Sequence, residues 1–468
     1  MTSSLQSDRN VLIFGIHNTV DWWRYLGKNL GWDNSTVVTD LRGEGDISVV
    51  DDFYAELKRT ARQPDPMFTL LTPSEKLDVV ARCRTLRWLE PALAHAMIEA
   101  MAVSLNRVLD LTTPRVILSF PIDRYVKHVL RLLAERRGVK YLELTASVVP
   151  SMSMLMCNGR LASSDELPDS IEIDRNITAL ATPSFTPSYV PRKAVYTRAK
   201  FLRTLGFYRA RAVAMKVISL WQRDPLNLHY LDAQPMLGHK CRWKDVRIVS
   251  MCDPQWRTKI DSVPRRQRAL FGLQLFPEAS LDYWIDNPAL IGNEALVVRS
   301  AKAFSDADFI VMVKDHPLQF GFRQTELIDQ LRALRGVVIV PYEVPGSELM
   351  SLAGVNFTCT GTMGLQAALL GIKSAVTDSY YSNDEDFIIF RTLEEVDDLP
   401  GRILRTDLTD QPLLQRQRRI MSQLLRGSFE GDFFTFKGFN PKNPSAGALN
   451  LAHELGRRLN QLAAEGQL

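Results

Sequence analysis

The chain has 468 residues, more than one hydrophobic core normally supports, so two domains with connecting structure are expected. Hydrophobic residues make up 46% of the chain and charged residues 24%, which is ordinary for a soluble globular protein. No apolar run approaches the roughly 20 residues of a membrane-spanning helix, and the N-terminus lacks the basic-then-apolar order of a signal peptide. We therefore expect a cytoplasmic protein.

Metal and nucleic-acid chemistry are not indicated. The five cysteines and seven histidines are scattered along the chain without a CxxC or HExxH spacing, so no metal site is expected. No recognised nucleic-acid-binding motif is present, so nucleic acid is not an expected partner.

The first part of the chain alternates strand and helix patterns. Val11–Phe14 is predicted to be a buried strand, and Val20–Leu26 the start of an amphipathic helix. Further predicted elements are a strand at 37–39, a helix over about 74–109, a strand at 115–119, a helix at 125–137 and a strand at 140–144. Strands that alternate with helices predict a parallel, doubly wound sheet within a first domain, residues 1–149.

Residues 150–244 lack this alternation and are predicted to form a helical insertion or linker. From Arg175 to Arg223 there is no Asp or Glu, but there are ten Lys and Arg residues interleaved with apolar side chains. Such a segment could lie on an anionic membrane surface, which would make the protein peripheral at the inner face of the cytoplasmic membrane. A solvated basic helix pair between domains is the alternative, and the sequence leaves both open.

A second alternating block predicts another doubly wound domain over residues 245–408. Its predicted strands are 269–273, 309–313, 337–340, 355–358 and 374–377, and its predicted helices are 293–304, 324–334, 347–353 and 361–370. Residues 409–468 are predicted to be a helical tail, whose aromatic stretch Phe433–Phe436 is expected to pack against the first domain. The fold class is therefore α/β, with two Rossmann-like domains and a basic helical insertion between them.

Two loops of the second block combine a predicted strand end with groups that suit an anion. Ligands bind beyond the carboxyl ends of strands in open α/β sheets. Lys314-Asp-His-Pro317 sets a lysine and a histidine in a turn fixed by proline, which suits a phosphate or carboxylate, or is a charged turn in solvent. Thr358–Gly364 runs into a helix, where its amides and the hydroxyls of Thr360 and Thr362 would bind phosphate oxygens or cap the helix.

A third loop, Gln274–Ser280, follows the first strand of the block. It carries one carboxylate, Glu278, beside a proline. A single carboxylate in such a loop can act as a base or nucleophile, orient a ligand, or cap the following helix.

Taken together, the three loops resemble the capsule polysaccharide biosynthesis family. The matching elements are Gln-x-x-Pro-Glu-Ala-Ser (274–280), Val-Lys-x-His-Pro (313–317), Thr-x-Thr-Gly-Thr-x-Gly (358–364) and Gly-Ile-Lys-Ser-Ala-Val (371–376). This family includes the β-Kdo transferases of capsule assembly, and the Lys-x-His-Pro element is also similar to one in several bacterial sialyltransferases. The resemblance covers about Ala269–Asp386, roughly a quarter of the chain.

The resemblance implies a GT-B architecture with the donor nucleotide on the C-terminal domain. The implied ligand is a nucleotide sugar that serves as substrate, with a CMP-linked acidic sugar such as Kdo favoured, and no cofactor. His316 and Pro317 would contact CMP, and the implied donor-binding set is Lys314, His316, Pro317, Thr360, Gly361, Thr362 and Gln274. Glu278 falls where some retaining Kdo transferases place a reactive acidic residue, although the loop in those proteins is richer in Asp.

The first domain is then expected to hold the acceptor, a surface polysaccharide or a glycolipid. Asp123 follows the predicted strand 115–119 and could deprotonate an acceptor hydroxyl, or cap the helix that begins at Tyr125. Trp22 and Trp23 are interpreted as helix packing rather than a sugar-stacking platform.

The predicted activity is metal-independent glycosyl transfer in which Glu278, His316 and Asp123 are the candidate catalytic residues. Two alternatives stay open. One is a sugar-nucleotide epimerase or hydrolase of the same fold. The other is a non-catalytic glycan- or lipid-binding component of polysaccharide export.

Overall fold

A computed structural model describes residues 9–62, 69–186, 196–226, 242–275, 278–408 and 410–468. The strands are β1 (Asn10–Gly15), β2 (Asn34–Thr39), β3 (Ile47–Ser48), β4 (Val116–Ser119), β5 (Lys140–Ala146), β6 (Met152–Cys157), β7 (Arg160–Leu161), β8 (Arg268–Gly272), β9 (Ile310–Lys314), β10 (Val337–Ile339), β11 (Val355–Phe357), β12 (Lys373–Val376), β13 (Ile388–Ile389) and β14 (Ser428–Glu430).

The α-helices are α1 (Val20–Asn29), α2 (Val50–Arg62), α3 (Pro73–Arg82), α4 (Pro91–Thr112), α5 (Tyr125–Arg136), α6 (Ser170–Leu180), α7 (Arg198–Trp221), α8 (Trp256–Asp261), α9 (Ala279–Asp282), α10 (Asn293–Asp306), α11 (Thr325–Arg332), α12 (Gly346–Leu352), α13 (Thr362–Leu369), α14 (Leu393–Arg405), α15 (Leu413–Gly427) and α16 (Ala446–Ala464). Short 3-10 helices lie at His17–Thr19, Leu86–Trp88, Trp243–Ser250, Arg265–Gln267, Pro288–Leu290, Pro317–Gln319 and Phe433–Phe436.

The chain divides into two compact units whose boundaries differ from the predicted ones. The first unit contains Met1–Leu167, Ala214–Gln234 and Arg426–Leu468, and the second contains Pro168–Val213 and Pro235–Leu425. The predicted insertion 150–244 therefore contributes β6 and β7 to the first sheet, and the predicted tail 409–468 contributes β14 and α16 to the first unit. β6 was missed because its sequence, Met-Ser-Met-Leu-Met-Cys, has few of the β-branched and aromatic residues that mark strands.

The sheet of the first unit has the order β14-β6-β5-β4-β1-β2-β3, and β7 pairs with β6. β1 to β5 pair in parallel, whereas β6 is antiparallel to its neighbours β5 and β14. The apolar side chains of β1 are fully buried at Leu12, Ile13 and Phe14, as its continuous apolar run predicts for a strand covered on both faces.

The aromatic C-terminal stretch packs in the first unit, as predicted. The Trp22 indole N–H donates to Thr435 Oγ1 at 3.1 Å, and its ring lies 5.9 Å from that of Phe436. The ring of Trp22 also stacks on Phe120 at 5.6 Å. Trp22 and Trp23 are fully buried, which confirms that they are packing residues of α1.

Among the described residues, α4 is long and apolar enough to cross a membrane by length and composition. Its apolar window is 56% buried, and the helix packs against α2 and α5 within the first unit. No segment of the sequence was expected to be long and apolar enough to span a membrane, and this expectation is wrong for α4. Its burial, however, is that of a core helix.

The sheet of the second unit has the order β10-β9-β8-β11-β12-β13 and is parallel throughout. The chain adds β9 and β10 on one side of β8, then returns to add β11, β12 and β13 on the other side. Helices cover both faces, since Phe271 of β8 packs in a cluster with α10, whereas Leu270 packs in a cluster with α12. This is the Rossmann strand order, and the predicted fold class of two doubly wound Rossmann-like units is confirmed.

A close approach between α1 and α16 gives a test of the first unit. A Cβ added at Gly456 of α16 would lie 2.0 Å from the Leu30 carbonyl oxygen. We expect Gly456→Ala to lower the free energy of unfolding by about 1–3 kcal/mol, because backbone cannot move away as a flexible side chain can. Gly206→Ala is the matched control, since Gly206 lies in α7 with open space around its Cα, and should stabilise by about 0.5–1 kcal/mol. Equal denaturation midpoints for both variants would contradict the packing.

Candidate functional site

The three loops singled out in the sequence follow neighbouring strands of the second sheet. β9, β8 and β11 are adjacent, with Gly272 opposite Lys314 and Phe271 opposite Phe357. The loops after these strands therefore leave the same edge of the sheet. The strand order reverses between β8 and β11, and open α/β sheets bind ligands at such a switch point.

The side chain of Gln274 joins the loop after β8 to the loop after β11. Its Oε1 accepts hydrogen bonds from the backbone N–H of Cys359 at 3.1 Å and of Thr360 at 3.0 Å. Its Nε2 donates to Thr360 Oγ1 at 2.9 Å. Gln274 and Thr360, both predicted to bind the donor, thus bond to each other in the buried base of the site. Their geometry is that of residues that hold the loop in place.

The side chain of Lys314, the last residue of β9, also bonds to other parts of the protein. Its Nζ donates to the backbone carbonyls of Pro341 at 3.1 Å and Tyr342 at 2.7 Å, which tie β9 to the turn after β10. Burial lowers the pKa of Lys314 to about 8, so the side chain still carries a positive charge at neutral pH. Lys314 therefore adds charge to this edge of the sheet, while its hydrogen bonds stabilise the loops.

A buried ion pair fixes the turn that carries His316. Asp315 Oδ1 accepts from Arg323 Nη2 at 2.8 Å and Nε at 3.1 Å, and also from the His316 backbone N–H at 2.9 Å. The Tyr342 hydroxyl donates to the other carboxylate oxygen. Arg323 Nη2 reaches the Gln274 carbonyl at 3.3 Å, so the loops after β8 and β9 share this cation. Both members of the pair are almost fully buried.

His316 is half-buried, and its ring has a defined tautomer. Nδ1 accepts a hydrogen bond from the backbone N–H of Leu318 at 3.1 Å. A neutral ring whose Nδ1 accepts carries its hydrogen on Nε2, which becomes a donor. Burial, together with the nearby charge of Arg323, lowers the pKa of His316 despite the opposing effect of Asp315. At neutral pH, His316 thus offers a neutral N–H donor at the end of β9.

The loop after β11 leads into α13 through glycine. Gly361 is the N-cap and α13 has no side-chain cap, so first-turn amides such as those of Thr362 and Met363 have no side chain bonded to them as a cap. The Tyr381 hydroxyl donates to the Gly361 carbonyl at 2.7 Å. A Cβ at Gly361 would lie 2.7 Å from Thr358 Oγ1, so a side chain at this position would require Thr358 to move. The predicted alternative of a threonine cap is therefore wrong, and an anion-binding helix N-terminus fits.

Glu278 stands at the N-cap position of the short helix α9. Its carbonyl accepts from the N–H groups of Leu281 and Asp282, but its side chain makes no capping bond. The helix-cap alternative is thus wrong for this carboxylate. The neighbouring Pro277 lies outside the described residues, as does Phe276.

Asp123 lies in the first unit, in the loop after β4. Its carboxylate pairs with Lys127 Nζ at 2.8 Å and Arg124 Nε at 3.1 Å. Desolvation by burial alone would raise the pKa of Asp123. The charges of Arg124 and Lys127 outweigh this effect and hold the pKa well below its ordinary value. A carboxylate with so low a pKa is a weak base. The Asp123 side chain does not cap α5 either. The N-cap residue of α5 is Arg124, and no side chain forms a capping hydrogen bond there. The structure therefore gives Asp123 the role of a counter-ion.

The buried residues that support the loops of the site were not predicted from the sequence. Asp315 occupies the variable position of the Lys-x-His-Pro motif, and Arg323 and Tyr342 follow it by 8 and 27 residues. No helical or strand period links these three positions. The one signal available in the sequence was Asp315 itself, a charged residue that directly follows a buried strand.

No family model matches the chain, and no curated protein matches it. Solved structures similar to it include a KpsC β-Kdo 2,7 transferase from Thermosulfurimonas dismutans, at 10% identity over 78% of this chain and 89% of that one, with a TM-score of 0.33. A UDP-GlcNAc 2-epimerase from Methanocaldococcus jannaschii is 12% identical over 89% of this chain and 99% of that one, with a TM-score of 0.26. A glycosyltransferase from Rickettsia africae is 12% identical over 98% of each chain, with a TM-score of 0.27. β-Kdo transferases, which the loop sequences resemble, are thus among the similar structures.

The Asp315–Arg323 pair can be tested by unfolding experiments. We expect Asp315→Asn to lower the free energy of unfolding by about 3–5 kcal/mol, because the buried Arg323 guanidinium loses its nearest carboxylate and keeps only the longer contact with Glu294 at 3.6 Å among the ion pairs described. Tyr342→Phe, which removes one hydrogen bond from the same carboxylate, should cost about 1 kcal/mol. In the double variant Asp315→Leu, Arg323→Met neither charge of the pair remains, and much of the loss should be recovered. A double variant no more stable than Asp315→Asn would contradict this assignment.

The lowered pKa of Lys314 predicts a pH dependence of stability. Between about pH 8 and its ordinary value of 10.5, the folded protein has released the Lys314 proton while the unfolded chain still holds it. Raising the pH in this window should therefore stabilise the folded state, by at most about 1.4 kcal/mol per pH unit. The quantity to measure is the difference in denaturation midpoint between the wild type and Lys314→Gln as the pH rises. A difference that stays constant with pH would show that Lys314 titrates normally.

Proposed function

We propose that this chain is a glycosyltransferase of the GT-B type that binds a nucleotide-sugar donor at the edge of the second sheet. The observation that carries the proposal is the presence of two kinds of donor at the ends of β9 and β11, the strands on either side of β8. His316 presents Nε2–H after β9, and the N-terminus of α13 presents backbone amides after β11. These groups suit the phosphate of a nucleotide.

The charge at this edge also favours an anion. Lys314 keeps its positive charge at neutral pH, whereas the charge of Arg323 beneath the same turn is balanced by Asp315. Preorganised donors of this kind stabilise the charge that develops on a leaving phosphate, without reorganising during the reaction. The site therefore supports both donor binding and the departure of the nucleotide.

The resemblance of the three loops to those of β-Kdo transferases supports a finer proposal. The donor would be a CMP-linked acidic sugar such as Kdo, and the acceptor a surface polysaccharide or glycolipid held by the first unit. By the same resemblance, Glu278 in the loop after β8 would be the reactive carboxylate. The pairing of Asp123 with Lys127 and Arg124 makes Asp123 a weak candidate for the base.

Nucleotide binding can be tested with two His316 variants and a thermal-shift screen of CMP, UDP and GDP. His316→Asn can still accept the Leu318 N–H but cannot reach as far as Nε2, so we expect CMP affinity to fall about tenfold or more with unchanged stability. His316→Gln places its amide nearer to the Nε2 position and should retain more affinity than His316→Asn. Full nucleotide affinity in folded His316→Asn would rule out this role, and a UDP or GDP preference would rule out the CMP-linked donor.

The reaction class can be tested with Glu278→Gln and a panel of nucleotide sugars. In the wild type, nucleotide release that requires an acceptor supports transfer. Conversion of the donor without an acceptor would indicate an epimerase or hydrolase, and no turnover would indicate a binding protein. We expect Glu278→Gln to lower transfer by about 100-fold or more while leaving CMP affinity unchanged. Equal loss of both would make Glu278 a binding residue.

A further inference from the structure

One side of the helix α7 exposes a set of apolar side chains with one basic residue, Arg203, among them. The exposed members are Leu202, Phe207, Val213, Val217, Leu220 and Trp221. Phe207 is 60% exposed and Trp221 is 83% exposed. At about 100° per residue these six positions fall within an arc of roughly 140° around the helix. The buried residues Phe201 and Leu205 lie outside this arc.

Basic residues border the exposed apolar face on both edges. At the same helical spacing, Arg198, Arg209 and Lys216 lie along one edge, and Lys200 and Arg211 lie along the other. Arg209 also stacks over the ring of Trp243 at 5.6 Å, and Trp243 is itself 54% exposed. No acidic residue occurs between Arg175 and Arg223, so no carboxylate of α7 offsets these charges.

We propose that this exposed face of α7 is a docking surface for an anionic lipid bilayer. An interfacial helix buries an apolar face among the acyl chains while its Lys and Arg side chains reach the headgroups, and the two basic edges match that arrangement. A nucleic acid would be attracted by the charge but would bury none of the apolar side chains. The combination of both features therefore favours a bilayer, and this inference does not depend on the proposed reaction.

The layout of the charges predicts that α7 lies flat on the membrane. The helix has 24 residues, and five of its six basic residues lie on the two edges of the apolar face. A spanning helix would place several of these charges at the centre of the bilayer, where each is costly. In the flat orientation all of them stay at headgroup depth.

The first test is sedimentation of the full-length protein with vesicles. We expect binding to vesicles of phosphatidylcholine mixed with phosphatidylglycerol, and much weaker binding to phosphatidylcholine alone. Added salt should weaken the binding, because it screens the attraction between charges. Absence of binding to the anionic vesicles, or equal binding to both kinds, would overturn the proposal.

Two pairs of variants separate the apolar contribution from the electrostatic one. Phe207→Ser with Val213→Ser should lower vesicle binding about tenfold or more, while the control Leu404→Ser, at an exposed leucine of α14, should not. Lys200→Gln and Lys216→Gln, one on each edge, should each lower binding about fivefold, while the control Arg335→Gln should not. All the substituted side chains are exposed, and thermal unfolding verifies that each variant is folded.

Loss of binding in the glutamine variants alone would overturn the proposal in favour of an anionic polymer, such as a nucleic acid. Insertion can be measured directly by quenching of tryptophan fluorescence with brominated lipids. We expect quenching in the wild type that is largely lost in Trp221→Phe, although Trp221→Phe sediments with the vesicles as the wild type does. Equal quenching in both proteins would show that Trp221 does not enter the bilayer.

Discussion

The arrangement of the strand-end loops in the second unit depends on Gln274. Its side-chain amide holds the backbone of the loop after β11, and its carbonyl accepts from Arg323, which holds the turn after β9 through Asp315. One residue after β8 thus links three loops at the point where the strand order reverses. Because these bonds are buried, each is costly to break, and the loops keep one arrangement before any ligand binds.

This internal bonding divides the predicted ligand residues into two groups. Gln274, Thr360 and Lys314 direct their polar atoms at other parts of the protein. His316 and the first turn of α13 keep a ring N–H and backbone amides as donors. The polar residues in the motif therefore serve as supports as well as contacts, and preorganised donors of this kind are what stabilisation of a leaving phosphate requires.

In the first unit, the charged residue that was predicted to be catalytic serves instead to pair with a buried lysine. Lys127 is fully buried, and it is stabilised by Asp123 and by the Phe120 carbonyl at 3.3 Å. A buried ammonium needs such a partner, so the Asp123 carboxylate is held in its charged form. The same carboxylate is therefore a poor proton acceptor, although its place after a strand made it a reasonable candidate.

The sequence by itself determined the α/β class, most strands and helices of the second unit, and the three strand-end loops, because buried parallel strands are continuous apolar runs and helices repeat every 3.6 residues. It did not find β14, whose partner β6 is distant in the chain, or β6, which has few β-branched and aromatic residues. Only the tertiary structure decided which polar groups support the loops and which remain as donors. Asp315, Arg323 and Tyr342 meet through the packing of two strands and a turn, and local sequence carries no record of such contacts. The same holds for α7, whose composition showed basic and apolar residues but whose burial alone revealed which of them face outward.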